Sequence, residues 1–233
     1  MDRRTVLASL VGGTALVTGV SVHRRLSSEP DSRETPEIPN PLTAENVVEF
    51  VTDYESATYH NTILDGSSYD ELNVGCRTRF DRQIQDSFYA LTLCGGTGYA
   101  GDDISDFVDY EVAYRVTEER VERSVREGGR SGSGSGTLKL FNFTDERHPL
   151  TVAVTSSDAS TVFEGAFELD ATVGTNRYVD DIHPHETYTI SAQSSVTAEE
   201  TETELTPDTE IIIYITTPDA IEINTIDIDT TTE

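Results

Sequence analysis

The sequence predicts an α+β domain, one helix on an antiparallel sheet, followed by an all-β sandwich. Apolar residues recur at three- and four-residue steps between 43 and 61, alternate strictly from 107 to 117, and step by two throughout the segment after 137. Between these patterns, 128–136 reads GGRSGSGSG, which is too small and too flexible for a packed element and is expected to be a linker. The expected order is an N-terminal signal or anchor (1–26), a stalk (27–40), the α+β domain (41–127), the linker (128–136), the sandwich (137–228) and a polar tail (229–233).

The chain opens with Arg3 and Arg4, followed by an apolar run over 6–22 that contains no acid. This start resembles a twin-arginine secretory signal, whose apolar region is weak and rich in Gly and Thr. The resemblance implies export. The run is also long enough to remain as a membrane anchor, with Arg24 and Arg25 on its far side, so cleavage and anchoring through 6–22 both stay open. The stretch 27–40, SSEPDSRETPEIPN, has almost nothing to bury and reads as a solvated, disordered stalk.

In the first folded unit Thr43 is placed to cap a helix whose apolar positions are Val47, Phe50, Val51, Tyr54, Ala57 and Thr58. Strands are expected at 72–82, 87–94 and 107–117, with a weaker one at 120–126. In 107–117, Val108, Tyr110, Val112, Tyr114 and Val116 alternate with Asp109, Glu111, Ala113 and Arg115, which gives the strand one packed and one wet face. The layout is similar to cystatin-like and NTF2-like domains. In the second unit the pairs and triplets at 138/140, 150/152/154, 163/167/169, 188/190/192, 211/213/215 and 221/223 describe six or seven short strands. That pattern resembles immunoglobulin-like or transthyretin-like accessory domains, without the Cys and Trp framework of antibody domains. Tyr188, entering a strand after a loop, is a candidate corner tyrosine.

Cys76 and Cys94 are the only cysteines. If 72–82 and 87–94 form a hairpin, their midpoint is residue 85, inside the polar stretch 83–87 expected to turn. The thiols then face each other across the ladder, and an exported chain is expected to oxidise them to a disulfide. A thiol nucleophile or metal ligand is the alternative, but there is no C-x-x-C and the nearest histidine in sequence is His60.

Other motifs are weaker. Residues 96–101 match G-x-G-x-x-G, but Asp102 and Asp103 follow and the next segment alternates like a strand, so a flexible loop is expected rather than a nucleotide cradle. Asp102, Asp103, Asp106 and Asp109 lack the spacing of a calcium loop. Asp181, His183 and His185 form a candidate transition-metal set beside Pro184. Asn142-Phe143-Thr144 is a glycosylation sequon with Asn142 as acceptor. Tyr54, Tyr59, His60, Tyr110 and Tyr114 are candidates to line a pocket in the 41–127 unit, with ordinary core as the plainer reading. No G-x-S-x-G, H-E-x-x-H or Walker motif occurs, and no cofactor is expected.

Charge sets the partners and the medium. Acidic residues number 43 against 16 basic ones, only one of them a lysine, Lys139, for a net charge of −27. Such a chain repels itself until salt shortens the Debye length to about 3 Å at 1 M, so it is suited to brine. It has no basic patch for nucleic acid or an anionic membrane outside the N-terminus. Composition, start and layout together resemble the small secreted proteins of halophilic archaea. The resemblance implies a compartment, extracellular or the outer face of the membrane, rather than a reaction; the absence of a clustered catalytic set is what points to a non-enzymatic binding or structural module with an unknown surface partner. A small extracellular hydrolase or ligand-binding domain using a pocket in 41–127 is the competing expectation.

Overall fold

The computed structural model describes residues 30–66, 68–126, 136–184 and 186–227, without the side chains of 108 and 109. The segments expected as signal or anchor (with Arg3 and Arg4), nearly all of the linker, His185 and the polar tail lie outside the described residues. The described residues are mostly β-sheet with one helix, and the sheets are curled.

Helix α1 spans Ala44–Gly66 and begins as its sequence predicts. The Thr43 hydroxyl accepts the Asn46 amide at 3.2 Å, and the first helical bond runs from the Val47 amide to the Thr43 carbonyl at 2.9 Å. Its apolar stripe of Val47, Phe50 and Val51 packs on Phe88, Ala90, Val112, Tyr114 and Val116. The described part of the expected stalk does not stand free. The Arg33 amide and carbonyl each bond the Asn61 side chain at 2.8 Å, and Ile38 and Leu42 pack into the cluster under the helix.

The strands that follow α1 are β1 (Glu71–Ile84), β2 (Ser87–Ala100), β3 (Asp103–Val116) and β4 (Val121–Arg126), an antiparallel meander. Residues 96–100, expected as loop, extend β2 instead. Here the sheet is too close for side chains: a Cβ on Gly96 would lie 2.0 Å from the Asn73 carbonyl oxygen. Cys76 pairs directly with Cys94 across β1 and β2, the Cα atoms 4.1 Å apart, and the two form a disulfide. Gln85 turns the hairpin with a φ of 51°.

After 136 come β5 (Gly136–Asn142), β6 (His148–Ser156), β7 (Thr161–Leu169), β8 (Val173–Val179), β9 (Glu186–Gln193), β10 (Ala198–Leu205), β11 (Thr209–Thr217) and β12 (Ala220–Asp227). They do not form a sheet system of their own. The meander continues through β4 into β8, giving an eight-stranded sheet in the order β1-β2-β3-β4-β8-β5-β11-β12, with a four-stranded sheet β10-β9-β6-β7 beside it. The join is a parallel pairing of two residue pairs, Val125 with Val173 and Arg126 with Gly174.

One face of the large sheet is covered in two places. Helix α1 covers the meander end, while the four-stranded sheet packs Val152, Val154, Tyr188 and Ile190 on Leu138, Leu140, Ile211 and Ile213 of β5 and β11. The other face curls in on itself. Tyr89, Leu91 and Ala113 from the meander meet Phe141, Phe143, Ile212 and Tyr214 in a shared core, with the Tyr89 and Tyr214 rings stacked 4.9 Å apart. Gly174 leaves room for this plug, since a Cβ there would lie 2.5 Å from the Phe141 ring. The edges β1 and β12 then meet through side chains. Arg82 donates to the Ile223 carbonyl at 3.1 Å and to Asn224, while Asn224 donates to Asp81 at 2.7 Å.

Candidate functional site

The curl forms a cavity of about 420 Å³ above the aromatic plug, lined by residues from seven strands of the large sheet. Register explains why distant residues converge. Residues directly opposite each other across a ladder point to the same face. Leu93 is opposite both Arg77 and Glu111, Leu91 is opposite Arg79, Asn176 is opposite Lys139, and Thr137 is opposite both Tyr178 and Glu210. All of them line the cavity, together with Thr92 and Arg126. The curl closes the row by pairing Arg79 of β1 with Glu210 of β11, 131 residues apart in sequence.

Lys139 is the chain's sole lysine, and it sits at the centre of this row. Its ammonium donates to Glu111 at 2.5 Å and contacts Glu210 at 2.7 Å. Arg126, almost wholly buried, holds the other oxygen of Glu111 at 3.0 Å. Burial disfavours the ammonium and pulls its pKa below the ordinary value; Glu111 opposes that shift, while Arg79 and Arg126 reinforce it. Around the charges stand Thr137, Asn176 and Tyr178 as hydrogen-bonding groups and Leu91 and Leu93 as an apolar wall. Past Arg77 and Leu93 the cavity opens into a shallow groove of about 750 Å³ that runs over the disulfide.

The lining holds four cations, Arg77, Arg79, Arg126 and Lys139, against two carboxylates, Glu111 and Glu210. Two positive charges are therefore in excess inside a protein whose net charge is −27. The carboxylates are already engaged by Lys139, Arg79 and Arg126, so they hold the cationic side chains in place. Such an arrangement is equipped to hold an anion, and its lining carries neither a histidine nor a thiol.

The residues expected as a pocket lining are brought together, but beneath α1. Tyr59 stacks on Tyr110 with centroids 4.4 Å apart, and Tyr54 meets Tyr114 edge-on at 6.0 Å. The Tyr114 hydroxyl donates to Glu55, which Arg123 grips with both of its forks at 2.9 Å, and Arg123 also bonds the Tyr110 hydroxyl at 2.6 Å. Burial, then the charge of Glu55, pushes the Tyr114 phenol far above its ordinary value. His60 bonds the Asp31 carbonyl through Nε2 at 3.1 Å, and burial lowers its pKa. These contacts pack the helix on the sheet.

The Asn142 amide is fully buried. Its nitrogen donates to the carbonyls of Glu146 (2.7 Å), Leu169 (3.3 Å) and Asp170 (2.9 Å), and its oxygen accepts from the Thr144 amide and hydroxyl at 2.9 Å. In the folded chain this nitrogen is a loop staple and is not open to a glycan, which corrects the expectation that Asn142 is an acceptor. His183 gives its backbone amide to the Tyr188 hydroxyl at 2.8 Å, the corner bond expected for Tyr188. His185 is outside the described residues, and among those described no three His, Cys, Asp or Glu side chains gather to hold a metal, the Asp181 and His183 loop included. No described helix is long and apolar enough to cross a membrane.

Comparison with protein-family models, with curated proteins and with solved structures finds no match. The cavity is therefore read from its own chemistry.

Sequence reasoning missed this site because its cations lie on three strands whose order only the folded sheet reveals. One signal was available: the only lysine stands in the run Leu138-Lys139-Leu140-Phe141, an inward-alternating strand in a chain that otherwise excludes lysine.

Proposed function

We propose that this chain is an exported protein of the cell surface or extracellular medium, adapted to high salt, which binds a small ligand non-enzymatically in the cavity of the curled sheet. One observation carries the reading: the sole lysine and three arginines converge, with their counter-charges, on a space of ligand size. Two buried cations, Arg126 and Lys139, and the part-buried Arg79 are not needed for packing, since burying ion pairs adds little net stability. Their placement is better explained by what they hold. Export rests on the paired arginines and the disulfide.

The reading is tested by a melting screen of the full chain in molar KCl against a broad metabolite collection. At least one compound should raise the melting temperature of the native chain and leave a Lys139→Met chain unmoved. A collection in which nothing distinguishes the two chains would overturn it.

A further inference from the structure

We infer that the ligand is a small organic dianion, a compact carbon body bearing two negative charges and at least one hydroxyl. The inference rests on the binding role proposed above and specifies its chemistry. The lining carries two positive charges in excess, with Arg77 at the exposed rim, so a dianion engages both, whereas a monoanion engages one and a neutral ligand neither. In brine the long-range field of the acidic surface is screened within a few Å, so direct contacts decide the affinity. A halide competes for one cation at a time, while a dianion engages two together.

The cations are arranged for this. Arg77 and Arg79 lie two residues apart on β1, and both line the cavity, presenting planar forks that suit carboxylate or phosphate oxygens. Lys139 and Arg126 stand on the strands beyond, fixed by Glu111 at 2.5 Å and 3.0 Å. A ligand spanning the two pairs passes over Leu91 and Leu93, which face a carbon body. Thr137, Asn176 and Tyr178 offer hydrogen bonds to a hydroxyl. The volume of about 420 Å³ exceeds what an inorganic anion fills and lies within the range of small-molecule sites.

Calorimetric titration of the full chain in molar KCl decides the matter, with malate, glycerol phosphate, acetate and glucose as probes. At least one of the two dianions should bind about tenfold or more tightly than acetate, with no heat from glucose. Whichever of malate and glycerol phosphate is preferred names the source of the charge. Arg77→Gln, an exposed rim position, should weaken the dianion about tenfold without changing the melting temperature, and Lys139→Met should abolish binding. Acetate binding as tightly as both dianions, or dianion affinity untouched by Arg77→Gln and Lys139→Met, would overturn the proposal. If neither dianion binds while the metabolite screen finds another, lysine-dependent ligand, the dianion is wrong and the binding role stands. If the screen is also empty, both fall.

Discussion

The Tyr214 hydroxyl donates to Asp81 Oδ2 at 3.0 Å, joining residues 133 positions apart in the chain. Asp81 is half-buried and also accepts from Asn224 at 2.7 Å. Burial raises its pKa above the ordinary carboxylate value, against the two hydrogen bonds that lower it. This contact ties β1 to β11 and so links the residues before 127 to those after 135. Tyr214→Phe is expected to cost about 1 to 2 kcal/mol, read by denaturant unfolding. The curve should move as one transition, because Tyr89, Leu91 and Ala113 share a core with Phe141, Ile212 and Tyr214. Two separable transitions, only one of them shifted, would refute the shared core.

Reduction of the Cys76 to Cys94 bond should lower stability by about 3 kcal/mol, since the bridge closes a loop of 18 residues. A Cys76→Ser, Cys94→Ser chain compared with the oxidised protein in the same denaturant series measures the difference. Equal midpoints would mean the bridge constrains nothing the ladder does not.

Because Lys139 is the only lysine, its side-chain signal in a carbon-detected NMR titration is unambiguous. Its midpoint should lie below the ordinary 10.5, because burial disfavours the ammonium. The folded chain then releases this proton at lower pH than the unfolded chain. The group's contribution therefore makes stability rise with pH through the window between the folded midpoint and 10.5, and the penalty is fully present below that window. A midpoint at or above 10.5 would show that the two glutamates outweigh burial.

Asn142→Ala should destabilise by about 3 kcal/mol, since it strands three carbonyls and the Thr144 donors in the β5–β6 and β7–β8 loops. Thermal denaturation of the variant checks this. A shift as small as that of an exposed substitution would remove the staple.

The melting temperature should climb steeply between low salt and molar KCl as screening relieves the repulsion among the net −27 charges. A flat profile would contradict adaptation to brine.

What could be read from the sequence was whatever depends on neighbours along the chain. Thr43 capped the helix as its side chain predicts, and the alternation in 107–117 produced β3. The hairpin arithmetic placed Cys94 opposite Cys76. What depends on distant packing was hidden. The glycines at 95, 96 and 98 suggest a loop when read locally, but in the sheet they are the positions where Phe107, Asn73 and Tyr69 come too near for a Cβ. The insertion of β8 between β4 and β5 follows no periodicity, and on it depends the meeting of Arg126, Asn176 and Lys139. Tyr110 and Tyr114 were visible as one face of a strand, but alternation alone does not say whether that face meets a helix or a ligand.

The way the curl closes also fixes how the fold would yield to force. Among the described residues no ladder joins β1 to β12, and the edges are held by the grips of Arg82, Asp81 and Asn224. Tension applied between these two edges would first part those side chains and spread the sheet like an opening cuff. Every backbone ladder would still be intact, and the charged cavity would be laid bare before any strand tore away. On the binding role proposed above, a ligand held there would be released under load before the fold unravelled.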